Sequence, residues 1–193
     1  MILIYIMSNL ENIFLNQKLG VGFYIKRFFK SSNLKGFVMH LGSPLETVIK
    51  YLSSYKDLIC VDLDNDYLEV LDQQKRQEII DLKKNNKNAY NNLIRPIIRS
   101  YTNSLRKIYN DQVKYIILIS SDGDLLRYCG VKNKYINVLM PENGIKTDMT
   151  NADNIKSRED ANRAYHKKYE YRTDNELITL INFLLEREKI ISL

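Results

Sequence analysis

Lys114 to Ser120 reads KYIILIS and is followed at once by Ser121-Asp122-Gly123-Asp124. Ile116 to Ile119 are all aliphatic, so neither face of the segment is polar. A strand with one wet face alternates apolar and polar residues, whereas a short continuous apolar run is wet on neither face. Such a strand needs a helical layer on each side and belongs to a parallel sheet. The flanking sequence agrees. Ser121 and Asp124 cap a short helix that ends near Gly130. Tyr135 to Met140 (YINVLM) is the next strand, stopped by the turn Pro141-Glu142-Asn143-Gly144. Upstream, Asp57 to Leu63 (DLICVDL) is a buried strand, and Asp64 or Asn65 caps the helix after it. Phe37 to Leu41 is the first strand. It ends at Gly42-Ser43-Pro44, where Ser43 and Glu46 form a capping box for a helix to about Ser54.

Pro96 opens a helix reaching about Asn110, and residues 83–92 (KKNNKNAYNN) before it read as a polar loop. Residues 152–168 read as a polar helix. Thr173 and Glu176 cap a closing helix from Asp174 to about Glu188, with Leu177, Ile178, Ile181, Leu184 and Leu185 on one face. The pattern is α/β: four strands separated by helices, in a parallel sheet covered on both faces.

The 193 residues suit one domain. At this length about 70% of the unfolded surface is buried on folding, so no disulfide or metal staple is required. Hydrophobic residues make up 45% and charged residues 27%, a globular balance. The longest apolar run, Met1 to Met7, falls far short of the ~18 residues of a membrane span. It lacks the basic region and cleavage site of a secretory signal and the Arg-rich pattern of a transit peptide. Two cysteines, Cys60 and Cys129, without a Cys-x-x-Cys and with only two His, exclude a disulfide scaffold and a zinc module. They suggest a reducing compartment. Asn occurs 20 times and Ile 23 times against 4 Ala and 7 Gly, the signature of an A+T-rich genome.

Charge is unevenly spread. Residues 1–56 carry +5, residues 57–82 carry −6 and residues 83–115 carry +7; the rest is balanced. Over residues 93–109 Ile94, Ile97, Ile98, Tyr101, Leu105 and Ile108 recur at helical spacing and form an apolar face. Arg99, Asn103, Arg106 and Asn110 lie opposite, flanked by Lys107, with Arg95 one turn earlier and Lys83, Lys84 and Lys87 upstream. Cations along one face with Asn as a neutral donor suit a phosphate backbone. A plain solvated helix face is the competing reading, and the local +7 favours a polyanion.

Parallel sheets bind ligands at the carboxyl ends of their strands. No Gly-x-Gly-x-x-Gly or Walker-type loop occurs there, so no nucleotide cofactor and no small-molecule substrate are expected. The strand ends carry Asp62, Asp64, Asp66, Asp122 and Asp124 instead, which repel phosphate unless a metal intervenes. Asp62-Leu63-Asp64 resembles the nucleophile motif of haloacid-dehalogenase-type phosphatases, with Ser120 in place of that family's hydroxyl residue. This resemblance implies attack by one Asp on phosphorus, the other as acid/base, and a bridging Mg²⁺. It makes Lys134 or Lys146 the lysine and Asp148 and Asp153 the metal carboxylates. The simpler reading, in which Asp62 and Asp64 are strand-end and cap residues, is preferred, because so short a motif arises by chance. His40 on an apolar strand and His166 among lysines read as structural.

Leu34 to Ser43 (LKGFVMHLGS) resembles the opening signature of the universal small-subunit ribosomal protein two family, Leu-Lys-x-Gly-Val-His-x-Gly-His. His40 and Gly42 match, and Ser43 replaces the second His. Tyr51-Leu52 and Cys60-Val61-Asp62-Leu63 correspond to that family's Tyr-Ile segment and Ile-Ile-Asp-Leu strand end. Thr173 to Ile178 (TDNELI) corresponds to the cap of its closing helix. Its Arg-Trp…Leu-Thr-Asn motif matches either Arg95 with Tyr101-Thr102-Asn103 or Met149-Thr150-Asn151. The first is preferred and leaves room for one middle strand, Glu78 to Lys84. The resemblance implies a three-layer α/β/α fold with a mostly parallel sheet of four to five strands and the family's coiled-coil insertion reduced or absent. It implies an N-terminal extension over 1–33 and one α/β domain over 34–193 with an insertion around 145–172. It further implies a non-catalytic structural role in the small ribosomal subunit. The partners would be ribosomal RNA, held by Lys83, Lys84, Lys87, Arg95, Arg99, Asn103, Arg106 and Lys107, and neighbouring ribosomal proteins. With the A+T-rich composition, a mitochondrial, organelle-encoded member is expected.

Overall fold

A computed structural model describes residues 33–39, 43–109, 113–142 and 167–191. The four expected strands form as β1 (Leu34–Met39), β2 (Leu58–Asp62), β3 (Tyr115–Ser120) and β4 (Ile136–Pro141). A fifth, β5 (Lys168–Tyr171), lies within the segment expected to be an insertion. The sheet order is β2-β3-β1-β4-β5 and every pair is parallel. KYIILIS therefore sits between two strands, with Leu118 beside Gly36 on one side and Val61 on the other.

Two-residue alternation divides each strand between the two faces. Val38, Ile116, Leu118, Ile136 and Val138 face one core, and Phe37, Met39, Ile117, Ile119 and Leu139 face the other. The first core is covered by α2 (Asp66–Glu69), α3 (Gln73–Asn85), α4 (Lys87–Tyr109) and α5 (Gly123–Tyr128). The second is covered by α1 (Leu45–Leu52) and α6 (Asp174–Arg187). The architecture is three-layer α/β/α. Gly36 lets α5 approach β1 closely: a Cβ there would lie 2.9 Å from Leu126 Cδ1, which would have to shift.

Several local expectations change. Glu78 to Lys84 is part of α3 and not a strand, because its single buried residue, Ile79, suits one apolar helix stripe and not a pleat. Residues 83–92 are helical on both sides of Asn86 and not a loop. Asn86 Oδ1 accepts the Ala89 N–H at 3.0 Å and its carbonyl accepts the Tyr90 N–H at 2.9 Å, which restarts the helix as α4. Pro96 therefore lies inside α4 and not at its start. Pro96 and Asn92, whose carbonyl loses its helical partner, are both exposed, while Tyr90 and Ile94 are buried and hold the helix on the core. The Ser43 capping box does not form, since Ser43 Oγ accepts the Tyr171 hydroxyl at 2.8 Å instead. Thr173 does cap α6, accepting the Glu176 N–H at 3.2 Å.

The chain steps from β1 to β2 beneath one face through α1, then back to β3 and on to β4 over the other face through α3, α4 and α5. Neighbouring strands β1 and β3 thus send their connections to opposite faces. This is the topological switch point of the sheet.

Candidate functional site

Two features meet near the carboxyl ends of the strands: a network of carboxylates and a cationic helical hairpin. β2 ends in Asp62 and β3 in Ser120. Asp64 Oδ1 accepts the Ser120 hydroxyl at 2.6 Å, and its Oδ2 accepts the Ser121 N–H at 2.6 Å. Asp62 accepts the Asp64 N–H at 2.9 Å and the Asn65 side-chain N–H at 2.7 Å, and the Asp62 N–H donates to Asp66 at 3.0 Å. Ser120 Oγ accepts the Asp122 N–H at 3.0 Å, and Asp122 caps α5 by accepting the Asp124 N–H at 2.8 Å. The cap of α5 is thus Asp122 and not Ser121. Every carboxylate oxygen of Asp62 and Asp64 has a donor: Asp62 builds the turn after β2, and Asp64 joins it to the turn after β3.

Gathering these acids has an electrostatic cost. Burial, then the Asp62 charge, pushes the Asp66 carboxyl up to about 6 against an opposing pull from the Asp62 N–H. Burial also raises Asp122, which the Asp124 N–H and Lys83 oppose. Tyr67 is pushed up to about 12 by burial, and Tyr90 beside it rises for the same reason, with Asp122 and Asp64 adding to both. Tyr90 thus stands at the level of the strand ends.

At 23 residues α4 is about 34 Å long, against about 20 Å for a six-residue strand. With Tyr90 at the level of the strand ends, the start of α4 and the end of α3 lie on the side of the carboxylates. The structure places Lys83, Lys84 and Lys87 at this corner, all exposed. Arg95, Arg99, Asn103 and Lys107 run along the exposed side of α4, and Arg95 lies over the Tyr128 ring at 5.0 Å. Arg106 departs from this set. It is half-buried in the seam between α4 and α5, where it donates to the Cys129 carbonyl at 3.4 Å, and burial lowers its pKa. Seven residues separate it from Arg99, so the helical wheel puts both on one face. The turn at Cys129-Gly130, packed on the last turns of α4, covers only the second. Among the described residues no salt bridge neutralises Lys83, Lys84, Lys87, Arg95, Arg99 or Lys107.

Lys134 does not join Asp62 and Asp64. It lies in the turn Asn133–Tyr135 before β4, at the amino end of the sheet. His40, Gly42, Lys146, Asp148, Met149, Thr150, Asn151, Asp153 and His166 fall outside the described residues. Among the described residues no group of three or more His, Cys, Asp or Glu is arranged to hold a metal, and no helix is long and apolar enough to cross a membrane. One cluster was not anticipated from the residues. Lys35, inside β1 and 5% exposed, pairs with Glu188 at 2.8 Å. Its signal was a lysine interrupting an apolar strand, but its partner is over 150 positions away in the chain. No family model matches this chain, and neither a curated protein nor a solved structure does.

Proposed function

We propose that this protein is a non-catalytic RNA-binding scaffold that holds the phosphate backbone along the outer side of α3 and α4. One observation carries the reading: residues 82–109 contain no Asp or Glu, and their cations, all but the half-buried Arg106, are exposed at the end of α3 and along α4. A face of single sign about 34 Å long spans several phosphates, and sequence-independent backbone contacts supply most of such affinity. The finer proposal is small-subunit ribosomal RNA, with neighbouring ribosomal proteins as further partners and a mitochondrial ribosome as the location. Its support is the order of the segments quoted for the ribosomal resemblance: Leu34–Met39 is the central strand, Cys60–Asp62 ends β2, and Thr173 caps the closing helix.

Replacing Arg95, Arg99 and Lys107 together by Ala tests the surface without touching the core. RNA affinity is expected to fall, and the slope of log affinity against log salt to flatten by about 2, at ~0.7 per lost phosphate contact. An unchanged slope sinks the proposal. The ribosomal reading is tested by sedimenting a native lysate at moderate and high salt, with the chain expected in the small-subunit fraction. Phosphate release from a phosphoester by the wild type, lost in Asp62→Asn, would overturn the non-catalytic role.

A further inference from the structure

The opposite edge of the sheet carries a second cationic feature, independent of α3 and α4. At the amino ends of β1, β4 and β5 a cleft of about 450 Å³ opens among Lys35, Lys134, Tyr135, Lys167, Arg187 and Glu188. These residues come from β1, the turn before β4, the residue before β5 and the end of α6. Their formal charge is four positive against one negative. The one carboxylate is already held on the floor: Glu188 pairs with Lys35 at 2.8 Å and accepts the Asn137 side-chain N–H at 3.3 Å. Lys35 lies 3.7 Å from the centre of the Tyr135 ring, which fixes its ammonium from above.

The remaining three cations keep donors to spare. Lys167 Nζ donates one bond to the Lys134 carbonyl at 2.5 Å, and Arg187 donates one to the Tyr169 hydroxyl at 2.6 Å. Lys134 lies 4.9 Å from the Tyr135 ring centre, and none of the three has a carboxylate partner among the described residues. Stability does not explain the floor, since a buried ion pair is commonly no better than an apolar pair of the same volume. Three cations projecting from separate elements around one concave volume, over a floor whose own charge is balanced, give that volume the chemistry of an anion site. The net excess suits a dianion or trianion better than a carboxylate.

We propose that this cleft binds a small ligand through one or two phosphate groups. Pyrophosphate is the probe, titrated calorimetrically into the full chain with inorganic phosphate and a 5′-phosphorylated RNA oligonucleotide as separate arms. Saturable pyrophosphate binding is expected, weakened at least tenfold in Lys134→Ala/Lys167→Ala, whose side chains lie at the rim and leave the core untouched. Lys84→Ala/Lys87→Ala removes the same charge from the hairpin and should leave pyrophosphate binding intact. Equal loss in the two double variants would show attraction to net charge alone and overturn the site. So would no binding by the wild type, or cleft-dependent RNA binding that pyrophosphate fails to displace, which would assign the cleft to a nucleic-acid end. Because the hairpin variant is the control, failure of the cleft and failure of the RNA surface give different patterns.

Discussion

At the scale of single residues, Asp66 makes the network of acids measurable. Its carboxyl, ordinarily near 3.8, is pushed up to about 6, chiefly by burial. The folded state then holds the proton more tightly than the unfolded state, so the unfolded chain ionises first as pH rises. The sign follows: this group lowers stability as pH climbs from about 4 to about 6, and its effect is constant above. The shift corresponds to roughly 3 kcal/mol, and about 1 kcal/mol after discounting for a half-exposed side chain. Asn at this position keeps an acceptor for the Asp62 N–H. Asp66→Asn is therefore expected to be about 1 kcal/mol more stable than the wild type at pH 8, with little difference at pH 4. Urea unfolding at the two pH values measures it, and equal differences at both would refute the assignment. Lys35 shows the limit of reading residues one at a time. A lysine in a strand announces an exception, but only the end of α6, folded back to the amino edge, says what neutralises it.

At the scale of elements, α4 depends on burial more than on propensity. Proline in a helix interior forfeits a hydrogen bond and strains the preceding turn, at about 3 kcal/mol relative to Ala. The helix passes through Pro96 because Tyr90, Ile94, Ile97 and Ile98 are buried on both sides of it. Pro96→Ala should stabilise the protein by about 2 kcal/mol in chemical denaturation, since restoring the bond is partly offset by a more flexible unfolded chain. No gain would mean that the turn is already relaxed around the proline. The same helix explains why Arg106, which the periodicity puts on the cationic face with Arg99, is half-buried instead. Periodicity tells which residues share a face of the helix and is silent about which neighbour covers one end of that face. The apolar stripe was legible for the same reason that the seam was not: one is a local repeat, the other a contact with Cys129.

At the scale of the whole molecule, Asp64 joins the turns after β2 and β3 on the side of the sheet where α4 begins. Asp64→Ala removes two charge-assisted bonds and should cost about 2 to 4 kcal/mol, with relief of acid repulsion keeping it toward the low end. Thermal unfolding checks this, and an undiminished Tm would show that the turns stand without the bridge. On the other face the hydroxyls of Tyr51, in α1, and Tyr55, just after it, both donate to Asn182 of α6, so each layer has its own polar fastening. The fold class followed from residue order because KYIILIS, DLICVDL and YINVLM are apolar on both faces, and a strand without a wet side can only lie between two layers. The net +7 over residues 83–115 was equally open to counting. What residue order could not supply is the placing of β3 between β1 and β2, the edge strand Lys168–Tyr171 or the convergence of Lys35, Lys134, Lys167 and Arg187. Hydrophobic pattern and capping are set by residues a few positions apart. Strand order and charge convergence are set by contacts between residues far apart in the chain, and these exist only once the layers have closed on the sheet.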